Sequence, residues 1–167
     1  MDRERFKTDI LSLRPAMLAV AVKMLGDVDD ANDAVQEIML RIWEMRIRVM
    51  RMTNPGGYAM QSLKHFCIDR LRTEKQTVEP DEAVFVCDDT PYTGTEQRDA
   101  VALVRQIVAS LPRLQRMIIE MRDIEGYEPE EIASVTGMRV ATVTVNLSRA
   151  RKKVRDSFIR INSYKKI

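Results

Sequence analysis

The chain has little of what most enzymes are built from. It holds one histidine, one tryptophan, two cysteines and 6 glycines in 167 residues. With no nucleophile beside a base and no phosphate-cradling glycine loop, no catalytic constellation can be assembled, so a non-enzyme is expected. Cys67 lies in a helical pattern and Cys87 in an acidic stretch. No Cys-x-x-Cys pair or second histidine turns His65, Cys67 and Cys87 into a tetrahedral shell, so no metal and no cofactor is expected and both cysteines read as thiols. Sustained alternation of β-branched residues is also missing, which argues against strands and for an all-α chain. No apolar run approaches the roughly 20 residues that a membrane span needs. Met1 opens a charged amphipathic segment rather than a signal peptide, so a cytoplasmic location is expected.

What is present is helical amphipathicity and an uneven charge. Hydrophobic residues make up 45% of the chain and methionine alone numbers 11, enough for one good core or two small ones. The formal net charge of +2 hides a segment from Thr77 to Asp99 with seven carboxylates and one arginine, against 26 basic and 18 acidic residues elsewhere. That remainder suits a polyanionic partner. Pro80, Pro91 and Gly94 interrupt the acidic segment, so it reads as a linker over 77–99 between helical domains at 1–76 and 100–167.

In the first domain, Phe6, Ile10, Leu11 and Leu13 start an amphipathic stretch, and Pro15 opens a second apolar run that Gly26 stops. Asp27 is placed to cap the next helix, with Asp30 in the capping-box position. Val35, Ile38, Met39 and Ile42 mark that helix's buried side, and Asp33, Gln36, Glu37, Arg41 and Glu44 its polar side. Thr53 to Gly57 reads as a loop, after which Tyr58 to Lys75 resumes helix with Met60, Leu63, Cys67 and Leu71 on one face. Lys64, Arg70, Arg72 and Lys75 make it basic, and with Tyr58 beside the glycines it is suited to single-stranded nucleic acid. Solvated charge and buried rings remain the alternative.

The most informative stretch is Pro129 to Arg155. Pro129 suits a first helical position, Glu130 and Glu131 complement the helix dipole, and Gly137 ends a short helix. Beyond it Val140, Val143, Leu147, Ala150 and Val154 form one stripe expected to face Ile132, Ala133 and Val135. The opposite face carries Ala141, Val145, Ser148, Arg149 and Lys152, flanked by Thr142 and Arg155. Slender side chains followed by cations are what a helix lying in a major groove requires. The stretch reads as a helix-turn-helix.

Taken together, LGDVDDANDAVQEIMLRIWE, NPGGYAMQSLKHFCIDRLR and LPRLQRMIIEMRDIEGYEPEEIASVTGMRVATVTVNLSRARKKVR resemble the sigma-70 family. The likeness is to its compact extracytoplasmic-function group, which keeps only the second and fourth conserved regions. It implies a region 2 bundle and a region 4 helix-turn-helix joined by the acidic linker. Asp33, Gln36, Glu37 and Arg41 match the face that grips core RNA polymerase, whose β′ and β subunits are the implied partners. Asn54, Pro55, Gly56, Gly57 and Tyr58 match the segment capturing a flipped minus-10 base, with Lys64, Arg70 and Arg72 near the DNA backbone. Arg139, Thr142, Val145, Ser148 and Arg149 match the helix inserted at minus-35, which Lys152 extends. His65 stands where asparagine is usual, and Thr144 and Asn146 where lysine and arginine are common. Promoter DNA and an anti-sigma factor are further implied partners, and recruitment rather than catalysis is the implied mechanism. The competing expectation is a stand-alone helix-turn-helix regulator, which would usually dimerise on a palindrome and would leave the first domain without a purpose.

Overall fold

Helix ends fall largely where short polar residues and glycines place them. A computed structural model describes residues 2–77 and 96–164. The central part of the expected acidic linker, with Cys87, lies outside the described residues, and so does the side chain of Lys75. In chain order the helices are α1 (Asp2–Asp9), α2 (Arg14–Leu25), α3 (Val28–Glu44), α4 (Arg46–Val49), α5 (Pro55–Thr77), α6 (Glu96–Ala109), α7 (Arg113–Ile119), α8 (Pro129–Thr136) and α9 (Val140–Tyr164). A 3-10 turn over Leu11–Leu13 precedes α2, and one π-helical stretch, Glu120–Ile124, prolongs α7. Among the described residues there is no strand, so the expected all-α class holds. None of the helices described is long and apolar enough to cross a membrane.

Gly26 adopts φ 73° and ends α2, and the Asp27 carboxylate accepts the Asp30 N–H at 2.8 Å to start α3. Asp30 does not reach back to complete a capping box as expected, because its carboxylate is held by two arginines, Arg70 and Arg113. A second correction concerns Thr53 to Gly57. Pro55, Gly56 and Gly57 are the first turn of α5 rather than a loop, since the Asn54 side chain accepts the Gly57 N–H at 2.8 Å and proline suits a first helical position. Helix α6 begins at Glu96, inside the stretch 77–99 expected to be linker.

Helices α2, α3 and α5 pack on one another around Met17, Met24, Val35, Ile38, Leu63 and Leu71. The half-buried Trp43 closes one end, its ring 5.0 Å from Phe6 in an edge-to-face pair. In the second half α7 and α8 both pack on α9, burying Ile118, Met121, Ile132, Val143, Leu147 and Ala150. The buried residues of both halves join into one cluster, with α5 against α7 and α8 and α2 against α7.

Cys67 is fully buried on α5, and burial pushes its thiol up to about 11, against the opposing pull of Arg70 and Arg113. An unfolded thiol ionises near ~8.5. Keeping the proton therefore favours the folded chain fully below that value, and the advantage is lost as pH rises to about 11. The urea midpoint of the wild type should fall over this window relative to that of Cys67→Ala. Parallel pH profiles of the two proteins would refute the assignment.

Candidate nucleic-acid interface

The second half builds its turn from several small interactions. The Glu131 carboxylate accepts the Glu128 N–H at 2.7 Å and closes a capping box ahead of Pro129. At the other end of α8 the buried Thr136 hydroxyl donates to the Ile132 carbonyl at 2.6 Å and accepts the Met138 N–H at 3.3 Å. Gly137 follows with φ 72°, a conformation that favours glycine. Neither Glu128 nor Thr136 was marked by the sequence, because neither interrupts the apolar period.

Helix α9 then points two faces apart. Val143, Leu147 and Ala150 are buried and Val154 is half-buried, whereas Arg139, Val145, Ser148, Arg149 and Lys152 are exposed and Thr142 is half-buried. Val140 departs from its expected place in the stripe, since at the first position of α9 it is 40% exposed. Thr144 and Asn146 turn onto their own helix, donating to the carbonyls of Val140 and Thr142 at 3.0 and 2.9 Å. The cations of α9 are not equivalent. Arg151 is paired through two hydrogen bonds with Asp123, while among the described residues Arg149 and Lys152 take part in no ion pair. Two uncommitted cations therefore lie beside Val145 and Ser148 on one exposed strip.

The first half presents two surfaces. On α3, Asp33, Gln36 and Arg41 are exposed and Glu37 is half-buried. Arg41 donates to Glu37 at 2.8 Å and lies 5.2 Å from the centre of the Phe66 ring, so this polar face is ordered against α5. At the start of α5 both glycines are close to neighbours. A β carbon at Gly56 would lie 2.8 Å from Leu13 Cδ1, and one at Gly57 would lie 2.5 Å from Asn54 Nδ2. Larger residues would displace the Asn54 cap and the 3-10 turn behind it. Tyr58, 36% exposed, stands on the first turn.

Farther along α5 the expected DNA-backbone residues separate. Arg72 is exposed and shares a cleft of about 490 Å³ with His65, Asp69, Arg139 and Thr142, so the first half and the start of α9 face each other there. The ring of His65 lies 3.0 Å from Gln61 Nε2. Lys64 instead donates to the Ser134 carbonyl of α8 at 2.8 Å, and Arg70 donates to Asp30 at 3.1 Å. Burial lowers the Lys64 pKa. Sequence reasoning missed the Ser134 carbonyl as a partner, gave Asp30 only a local capping role, and missed Arg113, which donates to the same Asp30 at 3.0 Å.

Comparison with known proteins gives two family matches in chain order. The Sigma-70 region 2 model matches residues 10–77 and the Sigma-70, region 4 model matches residues 102–154. Similar proteins include the ECF RNA polymerase sigma factor EcfG of Rhodopseudomonas palustris, 24% identical over 151 residues, covering 90% of this chain and 83% of that protein. Another is the RNA polymerase sigma-H factor of Pseudomonas aeruginosa, 26% identical over 165 residues and covering 92% and 86%. The probable RNA polymerase sigma factor RfaY of Xanthomonas campestris is 26% identical over 160 residues, and there the match takes in 90% of this chain but 39% of the relative. Among solved structures, the sigma factor RpoE in complex with the anti-sigma factor NepR from Bartonella quintana matches with a TM-score of 0.44 at 21% identity, over 93% of this chain and 97% of that one.

Proposed function

The chain belongs to the sigma-70 family, in its extracytoplasmic-function group, and on that footing we propose that it binds core RNA polymerase and directs promoter recognition, melting and the start of transcription. The observation that carries this reading is the pairing of both conserved regions in order with a region 4 helix whose slender, cationic face is exposed. Its role is recruitment rather than catalysis. It acts in the cytoplasm, where its polymerase is.

In this reading α3 presents Asp33, Gln36, Glu37 and Arg41 to the β′ subunit, and α9 enters the minus-35 major groove with Arg139, Thr142, Val145, Ser148, Arg149 and Lys152. Asn54 to Tyr58 and Arg72 meet separated minus-10 strands. Opening duplex costs on the order of 1.4 kcal/mol per stacked step, so capture of an extruded base and the polymerase's grip must together meet it. The acidic segment 77–99 carries carboxylates able to occupy surfaces meant for nucleic-acid phosphates. An anti-sigma factor is the expected regulator.

The test is dependence on polymerase. Each half offers a small DNA interface, so the purified protein should bind promoter fragments weakly until core polymerase holds the two halves at a set spacing. Gel-shift titration and run-off transcription with and without core enzyme read this out. Tight, specific binding without polymerase, together with a dimeric footprint, would replace the reading with a stand-alone helix-turn-helix regulator.

A further inference from the structure

The backbone does not explain the glycine at position 56. Among the described residues positive φ angles belong to Gly26, Gly126 and Gly137, and Gly56 lies in the first turn of α5, where alanine is the better helix former. What the position requires is space. A β carbon at Gly56 would stand 2.8 Å from Leu13 Cδ1 and 3.4 Å from the Asp9 carbonyl oxygen, whereas carbon atoms in ordinary contact sit ~3.5 to 4.0 Å apart. The start of α5 therefore lies so close to the N-terminal segment that no side chain fits between them.

The same N-terminal segment holds the other end of the stretch that runs from α3 to α5. Phe6, buried on α1, meets the Trp43 ring edge to face at 5.0 Å. The Arg46 guanidinium lies 4.6 Å from the centre of that ring and donates to the Trp43 carbonyl at 3.0 Å, and α1 also touches α4. Ile10, fully buried, ties α1 to the 3-10 turn, because its N–H donates to the Phe6 carbonyl at 2.9 Å and its carbonyl accepts the Leu13 N–H at 3.0 Å. One hydrogen-bonded piece, residues 6–13, thus meets Trp43 ahead of the stretch and Gly56 behind it. Between those two contacts Arg48, Arg51, Thr53 and Asn54 are exposed. The region 2 match begins at residue 10, so Phe6 and Asp9 precede the part of the chain that the family model describes.

We propose that residues 6–13 are a positioning device for promoter opening, in which Phe6 on Trp43 and Leu13 on Gly56 fix where the Asn54 cap and Tyr58 stand. The proposal rests on the minus-10 role given above to Asn54 through Tyr58. A site that captures an extruded base must be held to within ~0.5 Å, and this one begins a helix with Asn54, Gly57 and Tyr58 all exposed, so its place is set from behind. Gly57 serves the same end at shorter range. A β carbon there would stand 2.5 Å from Asn54 Nδ2, so one glycine clears the cap and the other clears the prop. Leu13 and Gly56 are positioning residues, acting on DNA through Asn54 and Tyr58.

Gly56→Ala, made in the full chain and assembled with core polymerase, is the first measurement. Propensity alone favours the variant helix, whereas the added carbon forces Leu13 and the start of α5 apart by ~1 Å. Promoter opening, read from the permanganate reactivity of unpaired thymines around minus-10, should fall by roughly 10- to 100-fold, the scale on which a misplacement of ~1 Å acts. Co-purification with polymerase, the minus-35 footprint and the thermal midpoint should stay close to wild type. Leu13→Ala leaves a gap at the same place and should also lower opening. The double variant, Leu13→Ala with Gly56→Ala, sets a methyl group where side-chain volume was removed and should open the promoter better than either single variant. A role confined to stability would move the thermal midpoint in step with opening and would give no such reversal. Wild-type opening by Gly56→Ala, or single losses that simply multiply in the double variant, would overturn the proposal.

Tyr58→Ala separates that failure from a failure of the minus-10 assignment. If Tyr58→Ala and Gly56→Ala both keep wild-type opening and wild-type preference among minus-10 variants, the assignment itself falls and the positioning role with it. If Tyr58→Ala alters them while Gly56→Ala does not, the assignment stands and the N-terminal piece has no part in placing it.

Discussion

Charge reversal at Asp33 and Glu37 is expected to leave a folded chain that no longer co-purifies with core polymerase and yields no run-off transcript. Asp33 is exposed, and Glu37 makes a surface pair with Arg41 one turn away on the same helix. Such a pair contributes only ~0.3 to 0.5 kcal/mol, and exposed substitutions elsewhere usually stay within about 0.5 kcal/mol. Thermal unfolding should therefore move little while polymerase binding disappears, because two like charges now meet the partner surface. The buried side of α3, with Val35, Ile38 and Ile42, is untouched by either change. Retained co-purification and transcription would remove α3 from the polymerase interface.

Arg149→Ala should weaken promoter binding by the holoenzyme by ~1 to 3 kcal/mol, or roughly 5- to 150-fold, if the guanidinium takes a guanine edge in bidentate fashion. Arg151→Ala is the informative companion. Arg151 is already paired with Asp123, so its loss should touch the packing of α9 on the π-helical stretch while leaving base preference unchanged. Footprinting on minus-35 variants separates the two. Equal affinity and equal base preference for wild type and Arg149→Ala would place Arg149 in solvent only.

The contrast between these two arginines marks the limit of reading by periodicity. Positions 149 and 151 are both cationic, both exposed and two residues apart, and nothing local says that one is committed to a carboxylate 28 residues away. The same holds for Asp30. Its place three residues after Asp27 suggested a local cap, but the pull of two arginines from α5 and α7 outweighs a hydrogen bond to one backbone N–H. The start of α5 was misjudged for a different reason. Paired glycines after a proline read as a break, yet the Asn54 side chain and the pre-set proline φ supply the helical start that glycine's poor propensity opposes.

The sequence by itself determined the helical class, the positions of the glycine stops at Gly26 and Gly137, the turn between α8 and α9, and the strip of α9 that stays outside. Each of these follows from spacing along one helix or from backbone freedom at one residue, and both are local properties. The tertiary structure decided where charge is spent. Whether Lys64 meets a phosphate or the Ser134 carbonyl, and whether Arg113 and Arg70 share Asp30, depends on how two helical units lie against each other, and ion pairs between residues 40 to 83 positions apart leave no periodic trace in the chain.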